Sequence, residues 1–281
     1  MLEREEYVEQ AYFFRALSER VVQNMPTQDL LASLREEVLS TTKLPLAIDF
    51  LAGELRLQGV LGPAMARLEH YFTPFQAFVV ASSEDERKRF DFRIALEILH
   101  REAAYRAVGA SPRGVFLFEF EALCRNRLGY DHGLEAVARD PIFDADWREW
   151  LATVRRQIGI VDFSELLYVR SQYYWQNKVR HGLDAAEPEK PILFDEKEGK
   201  IALAHRRKDP LWLFAALQRH LGYPIVPHAK PPDEDSRLLL PTLLKRVDRL
   251  ETRLKLLDEE QKGGIDLTKF YGPPPEASDT P

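Results

Sequence analysis

Between Leu243 and Leu257 the chain reads LLKRVDRLETRLKLL. Apolar residues recur there at alternating steps of four and three: Leu243, Val247, Leu250, Leu254 and Leu257. A helix with that rhythm presents one narrow apolar seam, the stripe of a coiled coil, with Val247 and Leu254 at a and Leu243, Leu250 and Leu257 at d. The flanking charges add a direction. Arg246 and Arg253 fall at g, and Glu251 and Asp258 at the e positions that follow. A parallel homodimer sets each g residue against the partner's next e residue, so Arg246 meets Glu251 and Arg253 meets Asp258, both attractively. An antiparallel pair brings like charges together. The seam predicts self-association and names no reaction. Leu244 at an e position widens the stripe and leaves the oligomer size open.

This heptad helix is expected over 237–262, with Pro241 in its first turn and Gly263-Gly264 ending it. The tail over 263–281 is too proline-rich to form a folded element of its own. Within it, Ile265, Leu267, Phe270 and Tyr271 form a short apolar motif of the kind that docks on a surface, either on this chain's own domain or on a partner.

Upstream, residues 1–183 read as a succession of amphipathic helices, a mainly α domain. The first is expected from about Glu3 to Asn24, with Tyr7, Ala11, Phe14, Leu17 and Val21 on one face. Pro74 is expected to kink a helix over 64–81. Ser83 with Glu86 has the spacing of a capping box and predicts the start of the next helix. Gly114 to Arg127 is apolar enough for a buried element. Asp162 with Glu165 predicts a helix running to about Val179. A hairpin-helix unit is expected over 190–222. Ile192–Phe194 and Ile201–His205 would be its strands, joined by DEKEGK. Its helix would be delimited by Asp209 at the N-cap, Pro210 in the first turn and Gly222 past the end. Residues 223–236 read as a proline-rich linker.

Composition narrows the function classes. The 281 residues carry a net charge of −6, which argues against nucleic acid or an anionic membrane as the main partner. The single cysteine, Cys124, cannot form an internal disulfide. The acidic, polar start MLEREEYVEQ lacks the features of a signal peptide, and no apolar run approaches a membrane span. A cytoplasmic location is expected.

Motifs for chemistry are sparse. Glu97 and His100 stand at i and i+3 on a helix, the spacing of one half of a di-iron bundle site, but no second copy occurs. Ordinary packing of that face is the simpler account, and no cofactor is expected. Cys124 lies among Phe120 and Leu123 and reads as a buried, inert thiol. Phosphate loops, dinucleotide glycine motifs and nucleophile elbows are absent. Tyr168, Arg170, Tyr173, Tyr174, Trp175, Lys178, Arg180 and His181 interleave rings and bases, followed by His205-Arg206-Arg207-Lys208. Single-strand binders combine such groups, although core packing accounts for much of the spacing. Asp144, Asp146 and Glu149 fit the acidic first turn of a helix.

The chain is therefore expected to be a non-catalytic scaffold or adaptor that self-associates through residues 243–257 and presents its tail. A metal protein or enzyme with a site near Glu97 and His100, and a nucleic-acid binder using the 168–208 region, are the alternatives.

Overall fold

A computed structural model describes residues 2–229, apart from 23, 24, 86, 88, 89, 182–187 and 189. Contacts divide the chain between Ala229 and Lys230, and the described residues all belong to the first unit. Thirteen helices occur among them: α1 Arg4–Val21, α2 Thr27–Glu37, α3 Leu44–Gln58, α4 Gly62–Arg67, α5 Pro74–Glu84, α6 Phe92–Ala107, α7 Pro112–Arg125, α8 Tyr130–Ala138, α9 Ala145–Gln157, α10 Phe163–Tyr168, α11 Gln172–Arg180, α12 Glu196–Ala204 and α13 Pro210–Leu221. The mainly α class holds. None of the described helices is long and apolar enough to cross a membrane.

The expected face of α1 is buried at Tyr7, Ala11, Phe14 and Leu17, and Phe13 and Ala16 widen it. That broad face lies along α6, whose own buried row includes Ala95, Leu96, Ile98, Leu99 and Ala103. Helix α7 is buried over nearly its whole length, from Gly114 to Leu123, because α6, α8 and α13 all pack against it. Burying a Leu or Phe side chain contributes about 1.5–3 kcal/mol, so this run anchors the fold. The rings of Phe116 and Phe120 stack at 5.6 Å. Phe163 approaches Phe120 at 4.5 Å and Phe214 lies at 5.9 Å. Trp150 meets Phe116 at 5.0 Å and Phe194 at 5.1 Å. One aromatic core thus joins α7, α9, α10, α13 and the segment before α12.

The hairpin expected over 192–205 is not there. Ile192–Phe194 is extended, but its partner is the break between α10 and α11. The amides of Leu193 and Phe194 donate to the Arg170 carbonyl, and Gln172 N donates to the Phe194 carbonyl at 2.9 Å. The DEKEGK stretch is a helix start instead of a turn. Asp195 and Glu198 close a capping box, with Asp195 N donating to Glu198 Oε2 at 2.8 Å. Gly199 is required where α12 crosses this break: a Cβ there would lie 2.3 Å from Ser171 Oγ.

Three other expectations change. Pro74 opens α5 at its first position instead of kinking a longer helix, and Thr73 and Gln76 form the capping box. Ser83 lies in the last turn of α5 and donates to the Val80 carbonyl at 2.7 Å. The next helix is capped by Asp91, which accepts from the amides of Arg93 and Ile94. The helix begun at Asp162 stops at Tyr168, and Ser171 caps a second one by accepting from Tyr174 N. By contrast α13 runs from Pro210 to Leu221, with Asp209 as its N-cap and Gly222 beyond it at φ 70°. That left-handed conformation favours glycine.

Candidate functional site

Among the described residues, a buried cluster of ionisable side chains lies at the junction of α6, α7 and the end of α8. Glu102 and Arg106 stand one turn apart on the buried face of α6. Glu119 sits in the middle of α7, within the sequence FLFEFEAL, so its side chain enters the core with its apolar neighbours. Asp140 follows α8 and holds its own loop by accepting from Ile142 N at 2.9 Å. Arg106 reaches all three carboxyl groups. Its Nε donates to Glu102 Oε1 at 2.7 Å; its Nη2 donates to Glu119 Oε1 at 2.9 Å and to Asp140 Oδ2 at 2.6 Å. Each of the four side chains is at most 1 % exposed.

Three carboxyl groups against one guanidinium leave a formal charge of −2 in a site buried from solvent. An uncompensated charge there costs several kcal/mol. The carboxyl groups respond. Burial pushes Glu102 above the usual carboxylate range, opposed by the Arg106 charge. Burial, reinforced by the charge of Glu102, pushes Glu119 up much further. Arg106 is raised as well: burial works against its charge, but the three facing carboxyl groups outweigh it. One oxygen from each carboxyl group lies within 4.8 Å of the others, a spacing that could hold a cation. The guanidinium of Arg106 is the cation on which these oxygens converge, so the cluster is a filled structural site.

Glu97 and His100 are on α6 but outside this cluster. Glu97 accepts from Arg101 at 2.9 Å, and Arg101 also donates to the Ile225 carbonyl. His100 Nδ1 lies 2.9 Å from the Ala11 carbonyl, joining α6 to α1. Cys124 is half-buried, and burial pushes its thiol up to about 12, far from a reactive thiolate. Asp144 caps α9 by accepting from Trp147 N at 2.9 Å, with Asp146 in the first turn.

The aromatic and basic residues of 168–208 do meet, around α11 and α12, but as pairs within the chain. Arg206 covers the buried ring of Tyr168 at 4.2 Å and is paired with Glu165. Lys178 lies over Tyr174 and Lys200 over Tyr173. Arg170 is buried behind this face, and burial lowers its pKa.

Two concavities occur among the described residues. One of about 380 Å³ is lined by Glu3, Arg4, Glu5, Val8, Glu9 and Leu39. The other, about 140 Å³, is lined by Lys43, Leu46, Ala47, Leu68, His70 and Tyr71. Burial pushes the Tyr71 hydroxyl far above its ordinary pKa, so it is no ready base.

The self-association residues Leu243, Arg246, Val247, Leu250, Glu251, Arg253, Leu254, Leu257 and Asp258 lie outside the described residues, as do Ile265, Leu267, Phe270 and Tyr271 of the tail. Sequence reasoning missed the Arg106 cluster. Its signal was present in Glu119, a carboxylate inside an otherwise apolar helical run, and in the i,i+4 pair Glu102–Arg106 on the same face as Leu99 and Ala103. No protein-family model, curated protein or solved structure matches this chain.

Proposed function

We propose that the protein is a non-catalytic scaffold or adaptor that self-associates through residues 243–257 and offers its tail to another protein. The heptad stripe carries the proposal: five apolar positions in register, flanked by two attractive g–e pairs, make a seam that is costly to leave in water. The helical domain adds support from chemistry. The buried carboxyl groups of Glu102, Glu119 and Asp140 are bound to Arg106, the cysteine is shielded, His100 ties α6 to α1, and Glu97 pairs with Arg101 on α6 itself. Such groups serve architecture better than catalysis. A cytoplasmic setting belongs to the same proposal, on the strength of the single cysteine.

The seam covers only about two heptads, and isolated helices shorter than about 12–15 residues are marginal in water. Weak, concentration-dependent oligomers are therefore expected. Sedimentation equilibrium of the full chain should show mass increasing with concentration, and Leu250→Asp with Leu254→Asp should abolish the increase. A wild type that stays monomeric at the highest attainable concentration would remove the self-association half of the proposal.

A further inference from the structure

The Arg106 cluster contains an arrangement that its ion pairs do not resolve. One carboxyl oxygen of Glu102 lies within 4.8 Å of one of Glu119. The Oε1 atom of each accepts from Arg106, while the Oε2 atom of each is buried and receives no hydrogen bond. Two carboxylates held this close with no donor between them repel, and both are buried from bulk solvent. One proton between them supplies the missing donor, satisfies a buried acceptor and brings the formal charge from −2 to −1.

Among the described residues, the neighbouring helices supply no alternative cation to the cluster. Tyr7 is the titratable group that α1 brings to Arg106. The buried acids of α1, Glu6 and Glu9, accept instead from the amides of Lys43 and Leu39. The one ionisable residue of α5, Glu84, accepts from the amides of Leu61 and Gly62. On α7, Arg113 pairs with Glu198, and Arg125 pairs with Glu121. On α8, Asp131 and Glu135 pair with Arg155; His132 is exposed, as is Arg139 beside Asp140.

We propose that the folded protein holds a proton between Glu102 and Glu119, and that its loss as pH rises loosens the junction of α6, α7 and the end of α8. The domain then carries an alkaline-sensitive device in its core. This stands independently of the self-association proposal, since it concerns a different part of the chain and a different measurement.

The sign follows from linkage. A glutamate in the unfolded chain releases its proton near pH 4.3 or so, about its model-peptide value. Burial moves both folded-state values upward. The stabilisation is therefore complete below the unfolded value and is lost as pH rises through the folded one. Over that window the ratio of folded to unfolded protein falls about tenfold per pH unit for each proton held.

The test is urea unfolding of the full chain from about pH 6 to about pH 9, comparing wild type with Glu119→Gln and with Glu102→Gln. A glutamine keeps the shape and supplies a permanent donor toward the facing carboxylate. The wild type should lose stability with rising pH, and either variant should flatten that slope. Parallel slopes in wild type and variants, or a wild type whose stability does not fall over the range, would overturn the proposal. Should neither variant fold, proton release on unfolding the wild type decides it. The measurement is made in weak buffer near about pH 7.5, where an unfolded cysteine is still largely protonated. Release approaching one proton per chain supports the proposal, and no release or net uptake overturns it.

Discussion

Glu119 and Glu37 are both glutamates bound to an arginine, and their environments push them in opposite directions. Glu37 accepts two hydrogen bonds from Arg20, each 2.6 Å, and one from the Tyr12 hydroxyl at 2.7 Å, on a surface where water reaches all three. Hydrogen bonds from Arg20, with Tyr12 next, hold it down at about 2. Glu119 also has a good bond to an arginine, but it is fully buried and faces two competing carboxyl groups, and burial raises it. A short ion pair therefore does not by itself say which way a carboxyl group titrates. Desolvation and the count of like charges decide it.

The widest separation between the two regions should come from Arg106→Met. Removing the one cation leaves three carboxyl groups buried and uncompensated, and breaking a buried pair in this way costs about 3–5 kcal/mol. A shift of that size in the denaturant midpoint, or failure to fold, is expected. A loss below about 1 kcal/mol would place the cluster in the class of exposed pairs.

Arg20→Ala should do far less. Its side chain and that of Glu37 are about one-third exposed, at 29 % and 32 %, and exposed pairs contribute about 0–1 kcal/mol. The difference from wild type should shrink in 1 M salt, where the screening length is about 3 Å. The same salt should leave the Arg106→Met difference nearly unchanged.

The smallest expected effect is on the acid side. The folded value of Glu37 lies below its unfolded value, so its contribution is present above about pH 4.3 and fades as pH falls toward about 2. Stability curves of wild type and Arg20→Ala should therefore converge on acidification. A difference that stays constant from about pH 5 to about pH 2 would mean that the pair contributes nothing in solution.

The candidate cluster was only partly legible in advance. Glu102, Arg106 and Glu119 sit on apolar helix faces, and an acid on such a face must find a partner. That these three meet Asp140, far away along the chain, depends on how α6, α7 and α8 pack, and no local pattern specifies it. The same division runs through the fold. Asp209-Pro210 with Gly222 delimits α13, the acids from Asp144 mark the start of α9, and the stripe from Tyr7 to Leu17 marks α1. These were readable because capping and 3.6-residue periodicity involve only neighbours in sequence.

Where an outcome hinged on distant partners, the chain alone misled. Ile192–Phe194 does have the extended character its composition suggests, but the groups it bonds belong to Arg170 and Gln172. That contact accompanies the break between α10 and α11, across an aromatic core to which Phe194 and Phe214 both contribute. The sequence by itself determined the helical class, the ends of α13 and the apolar face of α1, because capping and helical periodicity involve only neighbours in sequence. Tertiary structure alone decided where the short extended segment pairs and which carboxyl groups share Arg106. Both are set by desolvation and partner supply, and those exist only once the helices have packed.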